Sequence, residues 1–242
     1  MVYIRSAIFW LLLILAVLFS AIFVLLCIPF TSQEWRYRFC KGWSLFMIKA
    51  LRVICGVDYQ FKNLSAVPKD RPIILLSKHQ SAWETMALMA YVPRRMSFVY
   101  KRELHRLPLF GQVLASLGMF SVDRSQGRLA FDQMKKEVPG YFKRGWILTL
   151  FPEGTRTAPG QTTKYKTGGA RISIATGVPV IPIALNSGEC WARNAFCKKP
   201  GKITVVFGPE MSPEGKDVTE FNDEIRNWIE GEMKVISPKY YK

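Results

Sequence analysis

The stretch that decides the fold is residues 72–90, PIILLSKHQSAWETMALMA. Its first five residues form an apolar run typical of a buried strand, and residues 85–90 have the composition of a helix. Between them lies a polar turn that contains His79, with Glu84 five positions further on. Because ligands bind at the carboxyl ends of strands in open α/β sheets, this turn is a candidate functional site.

The spacing of the histidine and the glutamate restricts where they can lie. In one regular helix they would be ~140° apart and on different faces. A contact therefore requires His79 in the turn before the helix and Glu84 in its first turns. The carboxylate would then accept the N–H of one ring nitrogen and leave the other nitrogen to take a proton. The alternative is a surface histidine beside a glutamate that only complements the helix dipole.

The same alternation of short apolar runs and helical patterns continues along the chain. It predicts an α/β domain over residues 57–242, with a largely parallel mixed sheet flanked by helices. The predicted strands are 57–61, 72–77, 97–100, 118–122, 146–151, 178–184 and 203–207, and the predicted helices are 82–91, 108–117, 127–143, 167–176 and 219–234.

Residues 7–28 form an uncharged apolar run, since no charged residue lies between Arg5 and Glu34. About 22 residues at ~1.5 Å each give ~33 Å, enough to cross a ~30 Å hydrocarbon core. The run is longer than the ~7–15 apolar residues of a signal peptide, and no small-residue cleavage site follows. It also has no polar face, as a core helix would. We therefore expect residues 1–30 to form a membrane anchor that either spans or re-enters the bilayer.

Residues 31–56 have apolar side chains at helical spacing, with most of the basic residues off that stripe. This amphipathic, membrane-proximal helix either lies on an anionic membrane surface or packs on the α/β domain. If the anchor spans, the basic residues after it place the α/β domain in the cytoplasm, and the membrane is the inner one if the cell is bacterial.

Composition limits the classes of partner. The chain has 34 Lys and Arg against 18 Asp and Glu, a formal net charge of +16, which favours anionic partners. Five cysteines without a CxxC pair and two histidines give no credible zinc site, so we expect no metal, no cofactor and free thiols in a reducing compartment. A non-enzymatic basic membrane-anchored module would explain the charge and the anchor. Sequence cues for nucleic-acid binding are absent, and no such partner is expected.

A second polar loop follows a predicted buried strand, in the sequence FPEGTR at residues 151–156. Gly154 permits a tight turn, and Arg156 offers a planar fork that matches phosphate oxygens. Glu153 could orient this arginine or a substrate hydroxyl. If the sheet is parallel, the loop lies on the same edge as His79. The alternative is an ordinary turn with solvated charges.

Four motifs together resemble the membrane-bound glycerolipid acyltransferases, and most closely the 1-acylglycerol-3-phosphate O-acyltransferases, over about residues 60–210. The family's His-x4-Asp appears as His79 and Glu84, and its Phe-Pro-Glu-Gly-Thr-Arg motif is intact. The other two motifs are Gly-x-x-Phe-x-x-Arg at Gly118, Phe120 and Arg124, and an apolar run with two prolines at 178–183. Glutamate in place of aspartate keeps the charge but adds a methylene, so backbone or rotamer must adjust.

The resemblance implies an activity and a role for each motif. His79 would be the general base that deprotonates the free hydroxyl of lysophosphatidic acid as it attacks an acyl thioester, and Glu84 would orient it. The residues implied to bind the substrate are Lys101, Arg124, Glu153, Gly154, Thr155 and Arg156. The product would be phosphatidic acid. Acyl-CoA or acyl-carrier protein could be the co-substrate, and glycerol-3-phosphate or another lysolipid remains an alternative acceptor.

Overall fold

The structure, a computed structural model, describes residues 1–241, with Arg124 described by its backbone alone. Within this range, seven strands form one sheet in the order β1-β7-β6-β2-β5-β3-β4. The strands are β1 (Val57–Lys62), β2 (Ile74–Ser77), β3 (Met96–Lys101), β4 (Phe120–Val122), β5 (Ile147–Leu150), β6 (Val180–Leu185) and β7 (Gly201–Phe207).

The helices fall where the apolar spacing predicted them. In the described part of the chain they are α1 (Val2–Leu26), α2 (Gln33–Cys55), α3 (Trp83–Tyr91), α4 (Phe110–Ser116), α5 (Arg128–Lys143), α6 (Gly168–Thr176) and α7 (Val218–Ile236). The predicted α/β class with a largely parallel mixed sheet is confirmed.

Strand direction explains why the two polar loops meet. Strands β6, β2, β5, β3 and β4 are parallel, whereas β7 pairs antiparallel with β6, and β1 is parallel to β7. The carboxyl ends of β2, β5, β3 and β4 therefore lie side by side on one edge of the sheet. Every motif loop that follows one of these strands opens onto that edge.

Helices cover both faces of the sheet. Strand β2 therefore lacks the alternation of polar and apolar residues that is typical of a strand with one exposed face. Ile73 and Leu75 belong to the core beneath α2 and α3, whereas Ile74 and Leu76 belong to the core beneath α5, α6 and α7. Successive strand residues point to opposite faces, so a strand buried on both sides must be continuously apolar. The first polar residues after it consequently mark the edge of the sheet.

Helices α1 and α2 form an antiparallel hairpin against the sheet domain. The rings of Phe23 and Phe39 lie 5.1 Å apart near the connection, and Cys55 contacts the Arg5 carbonyl at the opposite end. Helix α2 also packs on α3, where Ser44 contacts Met89. Of the two alternatives for the amphipathic helix, packing on the α/β domain is therefore the arrangement present.

Within residues 1–241, α1 is the one helix that is long and apolar enough to cross a membrane. Its outer side exposes large apolar side chains, with Leu11, Leu15 and Phe19 each more than half accessible. Its inner side contacts α2, α4 and other parts of the α/β domain, among them Lys198. The predicted anchor is thus a helix with one exposed apolar side and one packed side.

Candidate active site

His79 lies in the turn between β2 and α3, and Glu84 lies in the first turn of α3. The Nδ1 atom of His79 is 2.8 Å from Oε1 of Glu84. This is the arrangement that the five-residue spacing requires for a contact. The carboxylate fixes one ring nitrogen, so the other nitrogen is left for proton transfer.

The carboxylate of Glu84 is itself held firmly. Its Oε1 accepts the backbone N–H of Gln80 at 2.8 Å and of Ser81 at 2.7 Å, and its Oε2 accepts the hydroxyl of Ser187 at 2.7 Å. Glu84 is fully buried, and a buried carboxylate is tolerated when its acceptor sites are satisfied. These bonds fix the longer side chain in place and accommodate its extra methylene.

The sequence reasoning missed Ser187. It follows β6, which lies next to β2 in the sheet, and so its hydroxyl reaches the same edge. The available signal was its position, since the polar pair Asn186-Ser187 follows the fourth motif after only two more apolar residues, Ala184 and Leu185.

The basic residues predicted to bind substrate follow the neighbouring strands. Lys101 ends β3, is exposed and pairs with Glu103 at 2.9 Å. Arg124 lies two residues after the end of β4, and its side chain lies outside the described residues. Arg156 follows β5 and is half-buried, and no ion pair between described residues involves it. The sheet order therefore brings the three basic positions to the edge that carries His79.

The loop after β5 turns at Gly154, whose φ of +72° lies in the left-handed region that glycine adopts readily. Thr155 is exposed beside it. Phe151, at the start of the loop, stacks on His79 with ring centroids 4.0 Å apart. The two motif loops are therefore in direct contact.

The side chain of Glu153 points into the protein. Its side chain is fully buried, with Oε1 within 2.8 Å of both Lys78 Nζ and Thr157 Oγ1. Its Oε2 accepts the backbone N–H of His79 at 2.6 Å. Both oxygens of Glu153 are therefore engaged by groups of the protein itself. The carboxylate joins the two motif loops.

His79, Lys101, Gly154 and Arg156 all line one cavity of about 660 Å³. The rest of its wall is largely apolar and comes from α1, α2, α3 and the segment around α4. Apolar wall residues are Trp10, Leu13, Val17, Ala21, Trp43, Met86, Met89, Phe98, Phe110 and Val113. A polar, basic group of residues thus opens onto a large apolar cavity. In the described part of the chain, no group of three or more metal-ligating side chains could hold an ion.

Comparison with known proteins agrees with this geometry. The family described as Acyltransferase matches residues 58–186, and the chain is 39% identical to the 1-acyl-sn-glycerol-3-phosphate acyltransferase of Pseudomonas aeruginosa, over 97% of this chain and 92% of that protein. The chain belongs to the acyltransferase family. This membership confirms the resemblance drawn from the four motifs and makes the protein an enzyme.

Two more distant relatives extend the comparison. The acyltransferase is 25% identical to the human 1-acyl-sn-glycerol-3-phosphate acyltransferase alpha, over 83% of this chain and 81% of that protein. It also superimposes on the crystal structure of the 1-acyl-sn-glycerophosphate acyltransferase PlsC from Thermotoga maritima, with a TM-score of 0.80. That match covers 99% of this chain and 97% of the other at 20% identity, and it establishes the shared fold. The exposed apolar side of α1 and the family together support membrane association.

Proposed function

We propose that this acyltransferase moves an acyl group from an acyl thioester to the free hydroxyl of 1-acylglycerol-3-phosphate and so produces phosphatidic acid. The observation that carries the proposal is that His79, which is paired with Glu84, lines one cavity with Arg156, and that the interior of this cavity is apolar. The acceptor named for the relatives from Pseudomonas aeruginosa and human supports the same substrate.

In the proposed reaction, His79 acts as general base. The ring nitrogen that does not contact Glu84 takes the hydroxyl proton as the oxygen attacks the thioester carbonyl. Glu84 stabilises the imidazolium that forms. When the tetrahedral intermediate collapses, the carbon–sulfur bond breaks and the thiolate leaves with the proton that the imidazolium returns. No covalent acyl-enzyme is needed.

The basic residues would hold the acceptor while this happens. The guanidinium of Arg156 can bind two phosphate oxygens at once, and Lys101 and Arg124 add positive charge on the same edge of the sheet. The apolar cavity would receive the acyl chain of the lipid. Fixing both ends of the acceptor places its hydroxyl beside the base, which converts a chance encounter into a held geometry.

The hairpin fits this substrate as well. Helix α1 exposes apolar residues on its outer side and lines the proposed acyl site on its inner side. We propose that the protein works at an anionic membrane surface, with the α/β domain on the cytoplasmic side of the inner membrane if the cell is bacterial. Acyl-CoA or acyl-carrier protein would be the soluble donor.

The test is an activity matrix of donors and acceptors with detergent-solubilised protein. We expect the highest kcat/KM with lysophosphatidate as acceptor, and lower values with glycerol-3-phosphate and with lysolipids that carry a zwitterionic head group. Preference for an uncharged or zwitterionic head would contradict the proposed acceptor. Comparing acyl-CoA and acyl-carrier protein in the same matrix identifies the donor.

A further inference from the structure

Immediately behind the catalytic turn lies a buried cation that the reaction scheme above does not use. The side chain of Lys78, the residue before His79, has no exposed surface. Its Nζ lies 2.8 Å from Glu153 and 2.7 Å from Oε1 of Glu230. An ammonium group buried without partners is strongly destabilising, so these two carboxylates are what allow lysine at this position.

The pair with Glu153 leads directly to the catalytic residue. One oxygen of Glu153 forms the ion pair with Nζ of Lys78, and the other accepts the backbone N–H of His79 at 2.6 Å. Thr157 adds a second link, because its backbone N–H donates to the His79 carbonyl at 2.8 Å. The position of the His79 backbone therefore depends on Glu153, whose side chain Lys78 fixes.

The pair with Glu230 connects the same turn to the C-terminal helix. Glu230 lies on α7, beyond residues 58–186 that match the family, and its Oε1 also accepts the hydroxyl of Tyr165 at 2.8 Å. Burial by itself would lower the pKa of Lys78, but the carboxylates of Glu153 and Glu230 outweigh it and raise that pKa. Burial also raises the pKa of the Glu153 carboxyl, while Lys78 lowers it. Lys78 is therefore charged at neutral pH, and both carboxylates lie within ion-pair distance of its Nζ.

The C-terminal tail reaches this turn by a separate route. The hydroxyl of Tyr241 accepts a hydrogen bond from Nε2 of Gln80 at 2.9 Å, and Oε1 of Gln80 accepts the backbone N–H of Gly188 at 3.0 Å. The ring of Tyr241 also lies 5.5 Å from Nζ of Lys78. Tyr241 thus lies against both neighbours of His79 in the chain, Gln80 through its hydroxyl and Lys78 through its ring.

We propose that Lys78 and Glu230 are positioning residues, which hold Glu153 against the backbone of His79 and make the C-terminal helix part of the catalytic apparatus. The pair does not touch the substrate. It sets the place of the general base relative to Glu84 and to the loop that carries Arg156. The proposal rests on the proposed function, because the base is defined by that reaction.

The primary test compares Lys78→Met, Glu230→Gln and the double variant with Glu224→Gln. Glu224 lies on the same helix and pairs with Lys216 near the surface, so it is a matched control. In correctly folded protein we expect kcat to fall about 10- to 100-fold in each single variant, with KM for donor and acceptor nearly unchanged, because misplacing a catalytic group costs rate. The double variant should be no slower than the slower single variant, since both act on one unit.

A role in stability alone predicts a different result. The variants would then melt at lower temperature but keep the wild-type kcat per folded molecule, and that outcome would overturn the proposal. An increased KM with unchanged kcat would overturn it too, because it would indicate substrate binding. If Lys78→Met does not fold, Glu230→Gln decides the question, because glutamine keeps the shape of the original side chain.

A second readout separates this proposal from the proposed reaction. Diethyl pyrocarbonate modifies accessible imidazoles, and mass spectrometry distinguishes His79 from His105. We expect His79 to react faster in Glu230→Gln than in the wild type, because the turn is less firmly held, and at the same rate in Glu224→Gln. Absence of wild-type transfer to lysophosphatidate would defeat the proposed function alone, whereas equal reactivity in all variants would defeat the positioning role.

Discussion

The imidazole of His79 stacks on the ring of Phe151, with centroids 4.0 Å apart and ring planes at 18°. This contact joins the turn after β2 to the loop after β5, and it restricts the plane of the imidazole. Glu84 restricts the ring further through Nδ1. The base is therefore held from two sides, as general-base catalysis requires.

Replacing His79 by alanine should abolish acyl transfer and leave the fold intact. The side chain is 15% exposed and lines the cavity, and without it the Glu84 carboxylate keeps its bonds to Gln80, Ser81 and Ser187. General-base catalysis contributes about 10²–10⁴ in rate. Thiol release from the acyl donor measures the rate, and circular dichroism checks the fold. The other histidine provides the control, since His105→Ala should keep most of the activity. Near-normal turnover in His79→Ala would remove it from the mechanism.

Glu84→Asp and Glu84→Gln should behave differently. Aspartate keeps the charge that stabilises the imidazolium, whereas glutamine removes it and presents an amide donor where one carboxylate oxygen was. We therefore expect Glu84→Asp to retain substantial activity and Glu84→Gln to lose most of kcat. The measurement is kcat at saturating substrates for both variants. Equal activity in the two variants would show that the negative charge is unimportant.

Arg156→Lys should weaken the use of lysophosphatidate. An ammonium cannot reproduce the two parallel hydrogen bonds of a guanidinium, and the loss of one such bond corresponds to about 1.4 kcal/mol, or about tenfold in KM. Arg38→Lys is the control, because Arg38 is exposed and pairs only with Glu34 among the described residues. Unchanged KM and kcat in Arg156→Lys would exclude this guanidinium from the site.

Filling the cavity should shift the acyl-chain preference. Ala21 on α1 lines the cavity, so Ala21→Phe should reduce turnover of long-chain substrates more than that of short-chain ones. Leu15→Phe places the same ring on the exposed side of the same helix and should have no such effect. The measurement is kcat/KM over a series of chain lengths. A parallel fall at every length would indicate general disruption rather than a filled acyl site.

The stability of the protein should depend on pH through Lys198. This lysine is buried over the rings of Trp10 and Trp191, and burial lowers its pKa to about 8 from 10.5. The unfolded chain therefore binds more protons than the folded one between about pH 8 and 10.5, so the free energy of unfolding contributed by Lys198 rises with pH in that window. Below about pH 8, Lys198 is charged in the folded protein, and the full free-energy cost of burying that charge lowers the stability.

Thermal unfolding of wild type and Lys198→Met at pH 7, 8, 9 and 10 tests this dependence. The wild type should gain stability relative to the variant as the pH rises from about 8 to 10. Lys199→Met is the control, because its side chain is exposed in the neighbouring position. A difference between wild type and Lys198→Met that stays constant over this range would contradict the proposed burial of the charge.

The sequence predicted most of this fold because its strands are buried on both faces and its helices carry clear apolar stripes. In α7, apolar residues at helical spacing, among them Phe221, Ile225 and Ile229, are buried. Helix geometry predicted where His79 and Glu84 must lie for a contact, and the structure places them there. Arg156 lies on the same edge of the sheet as His79 because the carboxyl ends of parallel strands share one edge and β2 and β5 are neighbours.

The remaining features depend on contacts between distant segments. Lysine and glutamate are usually exposed, so the burial of Lys78 could not be expected without knowing that Glu230 faces it across the fold. The sequence also could not predict which way the side chain of Glu153 points, since a loop side chain can face either the substrate or the interior. Ser187 and the wall that α1 contributes to the cavity are also long-range features.

The contribution of α1 to the cavity wall has a practical consequence. Deleting the first helix is a common way to obtain a soluble fragment of a membrane-associated protein. Here Trp10, Leu13 and Val17 would go with it, and the floor formed by Met86 and Met89 would face water. A fragment shortened in this way would lack one side of its lipid pocket, so its inactivity would say nothing about the residues that perform the chemistry.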